Sequence, residues 1–152
     1  MTPAALMLLV GVEIFGGGGP LLQESGWNAQ AGAGVHVLPI TVFAQVHYTR
    51  VSVGGALART DKTTALLAGA RLGLLPGPLS PYLLGAYGRG WLRSSRGDED
   101  AGPVLHLGGG VQLAIGSKTR LFGEARFTLG DNQQADDVDL GVPLAVGLVF
   151  RP

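Results

Sequence analysis

The chain repeatedly alternates apolar and polar residues, and the stretch GWNAQAGAGVHVLP at residues 26–39 shows the pattern most clearly. Strict alternation is typical of a β strand with one apolar face and one polar face. Whether the apolar face points into the fold or out of it separates a water-soluble barrel from a membrane barrel. The apolar set is Trp27, Ala29, Ala31, Ala33, Val35 and Val37, and the polar set is Asn28, Gln30, Gly32, Gly34 and His36.

Seven further segments repeat this alternation, so the sequence predicts eight strands. Most of them have about the 9–11 residues that a tilted strand needs to cross a membrane. No helical pattern interrupts them and no linker is visible, so we expect residues 1–152 to form one domain. The seven segments are residues 8–15, 42–51, 64–75, 81–93, 104–115, 120–129 and 141–151.

The connections between these segments differ in length on the two sides of the predicted sheet. Three of them, LPIT, PGPLS and GSKT, are short turns rich in Pro, Gly and Ser. The other four are long, and most are polar: GGGGPLLQES, VSVGGALARTDKT, SSRGDEDAGP and GDNQQADDVD. Short periplasmic turns with long extracellular loops are typical of outer-membrane barrels.

The distribution of charge predicts that the apolar faces point outward, to lipid. In this assignment the apolar sets contain no charged residue, and a charge on the lipid face at the midplane costs about 2–4 kcal/mol. The opposite sets hold too many glycines and too few charges for a wall that faces water. Within residues 81–93 we assign Tyr82, Leu84, Ala86 and Leu92 to the outward set, and Gly85, Tyr87, Arg89 and Arg93 to the inward set.

Composition agrees with contact with lipid, since 14% of the residues are charged and the mean hydropathy is +0.31, whereas soluble domains carry about 25% charge. The longest apolar run, residues 3–12, is shorter than the roughly 20 residues of a membrane helix. It lacks the marks of a secretory signal, so we interpret it as the first strand of a mature chain with an added Met1. Eleven basic and eleven acidic residues without a basic run argue against nucleic-acid binding. The absence of Cys excludes disulfides and thiolate metal sites.

The aromatic residues of the apolar sets lie near the ends of the predicted strands. Trp27, Tyr48 and Phe127 come near the long loops, and Tyr82 and Phe150 come near the short turns. Amphipathic rings concentrate at both interfaces of membrane barrels. These five residues are therefore the predicted aromatic girdle.

The inward polar residues predict an interior plugged by side chains. An eight-stranded barrel is just wide enough inside to be filled by side chains, and inward glycines would make room for long neighbours. Glu13 and Glu124 are the inward acids, and we expect them to pair with arginines because an isolated buried charge is too costly. The alternative is that the glycines leave a polar channel. The predicted plug consists of Glu13, Arg71, Tyr87, Arg89, Gln112, Glu124 and Arg126.

With these features the chain resembles the small eight-stranded outer-membrane barrels of the OmpA and OmpX type. The resemblance rests on strand count, on loop asymmetry, on LGGGVQLAIGSKTRLFGEARF at residues 107–127 and on the final strand VPLAVGLVF. It implies an all-β, antiparallel up-and-down transmembrane barrel in the bacterial outer membrane. It is specific for the fold and not for an activity.

Some barrels of this kind are enzymes, namely lipid A deacylases with a His-x-Ser motif on the lipid-facing side. The nearest string here is His47-Tyr48-Thr49, which has Thr in place of Ser and whose histidine belongs to the inward set. The three histidines, His36, His47 and His106, lie on separate strands without the spacing of a metal site. We therefore predict no catalytic residues, no metal and no cofactor.

Three functions are compatible with these patterns. The first is a structural or surface-interaction barrel, which acts through its long loops. The second is a narrow pore for ions or small solutes, and the third is a lipid A-modifying enzyme. The expected partners are outer-membrane lipid or lipopolysaccharide and an extracellular ligand at the loops, with the protein itself a monomer. Fold alone does not decide among these functions.

Overall fold

The computed structural model describes residues 10–22, 25–55, 58–94, 97–99, 102–130 and 142–152. Within these ranges no helix is long and apolar enough to cross a membrane. The residues that it describes form antiparallel strands: β1 (Val10–Leu22), β2 (Gly26–Val37), β3 (Ile40–Val53), β4 (Arg59–Gly73), β5 (Leu79–Ser94), β6 (Gly97–Glu99), β7 (Pro103–Ala114), β8 (Thr119–Gly130) and β9 (Val142–Phe150).

Eight of these strands form a closed ring in the order β1-β2-β3-β4-β5-β7-β8-β9, and the ring closes where β1 pairs with β9. The short strand β6 lies outside the ring and pairs with the end of β5. Because every wall strand has two neighbours, the barrel has no unpaired edge, which is the condition for a sheet to cross a bilayer. The predicted eight-stranded antiparallel barrel is confirmed, with β6 as an addition inside a predicted loop.

Several strands extend further than predicted, most of all β1. Residues 16–22, which we had placed in the first long loop, continue β1 through a run of four glycines. A Cβ at Gly18 would lie 2.4 Å from the carbonyl oxygen of Asn28, and one at Gly19 would lie 2.4 Å from that of Leu144. Only glycine permits this close approach to both neighbouring strands, so a run that reads locally as a loop is a tightly packed strand.

The second long loop is also shorter than predicted, because β3 continues to Val53 and β4 begins at Arg59. Two other predictions concern the loop GDNQQADDVD and the apolar run at residues 3–12. Residues 131–139 of the first and residues 3–9 of the second lie outside the described residues.

The facing is as predicted for seven of the eight barrel strands: the outer wall is mostly apolar, and the inner face holds polar and charged side chains together with apolar ones. On the outside, Val42 is 62% exposed and Val146 is 60% exposed. On the inside, Gln45 and Glu124 are buried. A water-soluble barrel would show the reverse arrangement, so this wall is built to face lipid.

Strand β5 is the exception, and its predicted facing is wrong. Tyr82, Leu84, Ala86 and Leu92 point into the barrel and are buried, whereas Tyr87 is 62% exposed. Arg89 and Arg93 are exposed on the outer wall as well. Both faces of β5 carry leucine, glycine and an aromatic ring, so alternation alone does not distinguish them. The pairing of Ala68 with Tyr87 and of Gly110 with Tyr82 decides the facing.

The interior also contains an apolar cluster that the sequence did not predict. The rings of Phe15 and Phe43 meet edge to face, with 5.7 Å between their centroids. Phe122 is almost completely buried, and a Cβ at Gly147 would lie 2.7 Å from its ring. A Cβ at Gly32 would lie 2.5 Å from the ring of Phe15. Several of the inward glycines therefore make room for phenylalanines and not for the arginines that we expected.

The positions of outward-facing residues along the barrel wall give a first testable prediction. Val146→Arg places a charge on the lipid face in the middle of β9, and we expect it to lower the free energy of unfolding by about 2–4 kcal/mol. Thr64→Arg is the control, since Thr64 also faces outward but lies near the long-loop end, where the cost is about 1 kcal/mol or less. Urea unfolding in phospholipid vesicles measures both, and equal losses would contradict the assigned facing and depth.

The close packing of glycines gives a second prediction. A Cβ at Gly147 would lie 2.1 Å from the carbonyl oxygen of Gly16, whereas one at Gly123 would meet nothing within 4 Å. We expect Gly147→Ala to cost about 1–3 kcal/mol through overpacking and Gly123→Ala to leave stability nearly unchanged. Thermal melting by circular dichroism in detergent compares the two variants, and similar melting temperatures would rule out close packing at Gly147.

Candidate functional site

The barrel interior holds two groups of polar side chains, each centred on one acid. The lower cluster lies near the short-turn end and consists of Glu13, Arg71 and Arg151. Arg71 donates from Nη1 to Oε1 of Glu13 at 2.8 Å. Arg151 donates to the other oxygen, Oε2, from Nε at 3.1 Å and from Nη2 at 3.0 Å. Glu13 is completely buried, so both of its oxygens are paired with cations that come from distant parts of the chain.

The guanidinium group of Arg71 is also surrounded by aromatic rings. Its Cζ atom lies 5.2 Å from the ring centroid of Phe15, 5.6 Å from that of Phe43 and 4.9 Å from that of Tyr82. Cations over ring faces at these distances are attracted by the ring quadrupole, and more strongly when they are shielded from water. The rings therefore help to hold a second cation beside the single carboxylate of the lower cluster.

The upper cluster lies in the middle of the barrel and is centred on Glu124. Oε1 of Glu124 accepts hydrogen bonds from Nε2 of Gln30 at 2.6 Å and from Nε of Arg126 at 2.6 Å. Oε2 accepts a hydrogen bond from the hydroxyl of Tyr82 at 2.6 Å. Arg126 in turn donates to Oε1 of Gln45 at 3.2 Å. One carboxylate thus joins β2, β5 and β8, and Arg126 adds β3.

Tyr82 connects the two clusters, because its hydroxyl bonds Glu124 while its ring lies beside Arg71. The result is one network that crosses the lumen from Arg151 to Gln45. It contains two acids and three arginines, so every acid is matched by at least one cation. Buried charges are tolerated when they are paired and hydrogen-bonded in this way.

Further polar side chains lie along the same inner wall. His47 and His106 lie on separate strands, β3 and β7, as the sequence indicated. Their rings nevertheless meet edge to face inside the barrel, with 4.8 Å between centroids. Nδ2 of Asn28 donates to the carbonyl oxygens of Gly19 at 3.0 Å and Leu144 at 2.8 Å, which ties β2 to β1 and β9. No group of three or more potential metal ligands lies among the described residues.

Several buried polar atoms of the interior have no hydrogen-bond partner among the described residues. Polar atoms of this kind are ordinarily satisfied by internal water. The inner wall is thus polar enough to hold water between the side chains of the two clusters. These atoms include Oδ1 of Asn28, Oε1 of Gln30, Nε2 of Gln45, Nε2 of His47, Nε and Nη2 of Arg71, Nδ1 of His106, Nε2 of Gln112 and Nη1 of Arg126.

The structure separates the predicted plug residues into two sets. It places Glu13, Arg71, Gln112, Glu124 and Arg126 inside the barrel, and it places Tyr87 and Arg89 on the outer wall. Both errors follow from the inverted facing of β5. The partners that our prediction omitted are Gln30, Gln45, Tyr82 and Arg151. Gln30 belongs to the polar set of residues 26–37, and the same alternation within residues 42–51 and 141–151 places Gln45 and Arg151 on the inward side. Nothing in the sequence pointed to Tyr82.

The predicted girdle residues are likewise divided between the outer wall and the interior. The structure places Trp27, Tyr48, Phe127 and Phe150 on the outer side and Tyr82 inside. Trp27 and Tyr48 are in contact, with ring centroids 5.2 Å apart. Trp91 and Tyr87 are outward rings that the prediction missed. That the outer rings mark the membrane interfaces stays a prediction.

The string His47-Tyr48-Thr49 does not present a catalytic pair to lipid. His47 and Thr49 are buried on the inner side, and Tyr48 between them lies on the outer side. A side chain that points into the lumen cannot reach the ester of a lipid in the surrounding bilayer, and geometry comes before any acid–base argument.

The chain is similar in fold to several small barrels of solved structure. Neisserial surface protein A (NspA) matches with a TM-score of 0.68 at 18% identity, over 94% of this chain and 97% of that one. The N-terminal barrel domain of Pseudomonas aeruginosa OprF matches with a TM-score of 0.55 at 15% identity, over 94% and 96%. Ail of Yersinia pestis matches at 0.55 and 14%, over 94% and 97%. No protein-family model and no curated protein sequence matches the chain.

These likenesses confirm the fold that the resemblance implied. A closed barrel with an apolar outer wall can cross a bilayer because all its wall strands are paired. Bacterial barrels of this class lie in the outer membrane, with short turns on the periplasmic side and longer loops outside. We therefore assign the chain to that membrane.

The hydrogen bond between Tyr82 and Glu124 gives a third prediction. Tyr82→Phe removes a donor from a buried carboxylate, and we expect a loss of about 1.5–3 kcal/mol of stability. Tyr87→Phe is the matched control on the same strand, because Tyr87 faces outward, and we expect little change. Urea unfolding in vesicles measures the difference. If Tyr87→Phe were the more destabilising variant, the facing of β5 would be wrong.

Proposed function

We propose that this chain is an outer-membrane barrel whose interior is closed by its own side chains and whose role is structural or is exerted at its surface. The observation that carries the proposal is the Glu124 cluster. One carboxylate accepts hydrogen bonds from three strands, and Arg126 reaches a fourth. An eight-stranded barrel leaves little interior space beyond its side chains, so a network of this span obstructs the lumen.

The apolar cluster adds a second obstruction. Phe15, Phe43 and Phe122 project into the barrel and are almost completely buried. They lie alongside the polar network, since Phe15 and Phe43 both pack near Arg71. Rings and ion pairs together fill the cross-section. This supports a protein that uses its outer surfaces, and not a passage, for its function.

With a closed interior, the surfaces left for partners are the lipid-facing wall and the long-loop end. NspA is described as a surface protein and Ail as an attachment invasion locus protein, and Ail has been crystallised with the heparin analogue sucrose octasulfate. For this chain we propose an extracellular ligand at the long-loop end, and lipid or lipopolysaccharide around the wall. We propose a monomer, because all wall strands pair within one chain.

A narrow, water-filled passage is the second candidate. It is favoured by the buried polar atoms that have no partner among the described residues, such as Nε2 of Gln112 and Nη1 of Arg126. Water at these atoms could link the two ends of the lumen. The passage would have to run between the Glu124 cluster and the phenylalanines, so conduction should depend on that cluster.

The substitution Glu124→Gln tests both candidates. It keeps the size of the side chain but removes the counter-charge of Arg126, and breaking a buried pair costs about 3–5 kcal/mol. We expect the variant to melt at a lower temperature or, where water enters to solvate Arg126, to conduct in planar bilayers. The parent should show no steady conductance. A parent that conducts steadily would favour the pore.

The double variant Glu124→Gln with Arg126→Gln is the control. It removes both charges, so it should recover part of the lost stability and lose any new conductance. A single variant that melts like the parent and conducts no more than the parent would rule out a plug centred on Glu124.

A further inference from the structure

The charges of the chain are distributed unequally between the two ends of the barrel. The sequence before β1 and the three short turns contain no acidic residue. Glu13 is the acid nearest the short-turn end and Glu124 lies in the middle of the barrel, whereas the other acids belong to the long connections and to the strand ends beside them. The short-turn end therefore carries a surplus of positive charge. Its basic residues are Arg71, Lys118, Arg120 and Arg151.

Three of these cations point into the lumen and lie together at its mouth. Arg71 and Arg151 both bind the carboxylate of Glu13. Arg120 at the start of β8 lies close enough to Arg151 and Glu13 to interact with them electrostatically. The inward ring of His36 on β2 lies within the same range of Arg120, Arg151 and Glu13. We call these five residues the mouth cluster.

The mouth cluster holds more positive charge than its single carboxylate balances. Both oxygens of Glu13 are already bound, Oε1 to Arg71 and Oε2 to Arg151. Arg120 donates to neutral oxygens, namely Oγ of Ser80 at 3.3 Å and a backbone carbonyl oxygen at 3.5 Å. It forms no ion pair with an acid of the described residues. Three guanidinium groups and one carboxylate leave two positive charges in a confined space, where like charges repel strongly.

The same region contains buried donors that have no acceptor. Arg71 is 4% exposed and binds Glu13 through Nη1, whereas its Nε and Nη2 have no partner within the described part of the chain. Gln112 is 3% exposed, and its Nε2 is in the same situation. Gln112 lies opposite Ser80 in register, and Ser80 contacts Arg120. All these nitrogens donate and none accepts. Water can accept from them, but only an anion also neutralises the surplus charge.

The mouth cluster has a buried floor and a rim that solvent reaches. Glu13 is completely buried, and Arg71 lies beside it. Above them the side chain of Arg151 is 23% exposed, and Arg120 and His36 are half-buried. All five side chains point into the lumen, so the lipid that surrounds the wall does not contact them. A ligand of this site therefore enters from the solution at the short-turn end.

We propose that the mouth cluster binds a phosphate dianion, either inorganic phosphate or the phosphate group of a small soluble monoester. Guanidinium groups form paired hydrogen bonds with phosphate oxygens, and the two surplus charges match those of a dianion. Arg120 and Arg151 contact the phosphate at the rim, and Arg71 and Gln112 donate to it from the floor. The site lies apart from the lipid-facing wall and the long-loop end, so it goes beyond the closed-barrel function.

Isothermal titration calorimetry of the folded protein in a zwitterionic detergent tests the site. Inorganic phosphate is the probe, at about pH 8, where it is mainly a dianion. Arg120→Gln removes one rim cation, and we expect it to weaken phosphate binding about tenfold, as the loss of a hydrogen bond between charged groups does. Lys118→Gln is the matched control, because Lys118 is an exposed cation of the same barrel end outside the mouth cluster. It should bind within about twofold of the parent, since solvent screens an exposed charge.

Gln112→Glu is the converse variant. It keeps the shape of the side chain and places a carboxylate opposite Ser80, near Arg120, where the carboxylate supplies the missing counter-charge. We expect this variant to lose phosphate binding. The melting temperature of the parent should rise with phosphate at constant ionic strength, because a ligand of the folded state stabilises it. The melting temperature of Gln112→Glu should not change. Heat-modifiable migration on gels shows whether each variant is folded, and the comparison of Arg120→Gln with Lys118→Gln does not require Gln112→Glu to fold.

Two further probes identify the source of the phosphate group. Glycerol phosphate should bind about as well as inorganic phosphate, because the rim is open to solution. Vesicles that contain phosphatidylglycerol should compete with phosphate no better than vesicles of phosphatidylcholine, because the mouth cluster faces the lumen and not the wall.

Three results would overturn the proposal. The first is equal phosphate affinity for Arg120→Gln and Lys118→Gln, which would mean general attraction by the basic end of the barrel. The second is an equal rise in melting temperature when chloride replaces phosphate at the same ionic strength. The third is competition by phosphatidylglycerol vesicles, which would assign the anion to a lipid headgroup. None of these results bears on conductance, so failure here is distinct from failure of the closed-barrel proposal.

Discussion

The pairing of β1 with β9 is the constraint on which the remaining structure depends. A bilayer offers no water to backbone N–H and C=O groups, so a sheet that crosses it must close on itself. Here the two ends of the chain supply the closing strands, from Ile14 opposite Phe150 to Leu22 opposite Val142. Closure with eight strands fixes the inner diameter. Every alternate residue must then fit a narrow lumen, and the others must be acceptable to lipid.

The narrow lumen explains two features of the interior. Its charged side chains form ion pairs, and its aromatic rings pack against glycines of neighbouring strands. Burying a polar side chain inside the barrel is costly unless the side chain forms hydrogen bonds there. Glu13 and Glu124 are accordingly surrounded by donors from several strands. A ring facing inward needs space, and glycine on a neighbouring strand provides it, as Gly147 does for Phe122. The glycine content and the charge pairing are otherwise unrelated features, and both follow from the small inner diameter of the barrel.

The sequence was sufficient to predict the barrel and most of its facing, because seven strands have one face with no charge over their middle part. The prediction failed at β5. Tyr82 and Tyr87 lie on opposite faces of this strand, and Arg89 and Arg93 led us to assign the wrong face to the interior. The rule that excludes charge from the outer wall applies at hydrocarbon depth and weakens toward the interfaces. Arg93 lies near an interface, so it was misleading evidence for an inward face. The interior partners of Glu124 depend on strand register and stagger, which alternation does not specify.

The same depth dependence gives the wall its asymmetry. At the long-loop end, β8 and β1 keep apolar side chains such as Leu129 and Leu22 exposed, whereas β3 to β5 turn to cations at the corresponding level. An apolar residue at an interface requires only lipid, whereas Arg50 and Lys62, which lie opposite each other in register, need a polar environment that screens their like charges. The charged side of the wall therefore requires the polar zone of the interface at this level, whereas the rest of the wall is compatible with acyl chains at the same level.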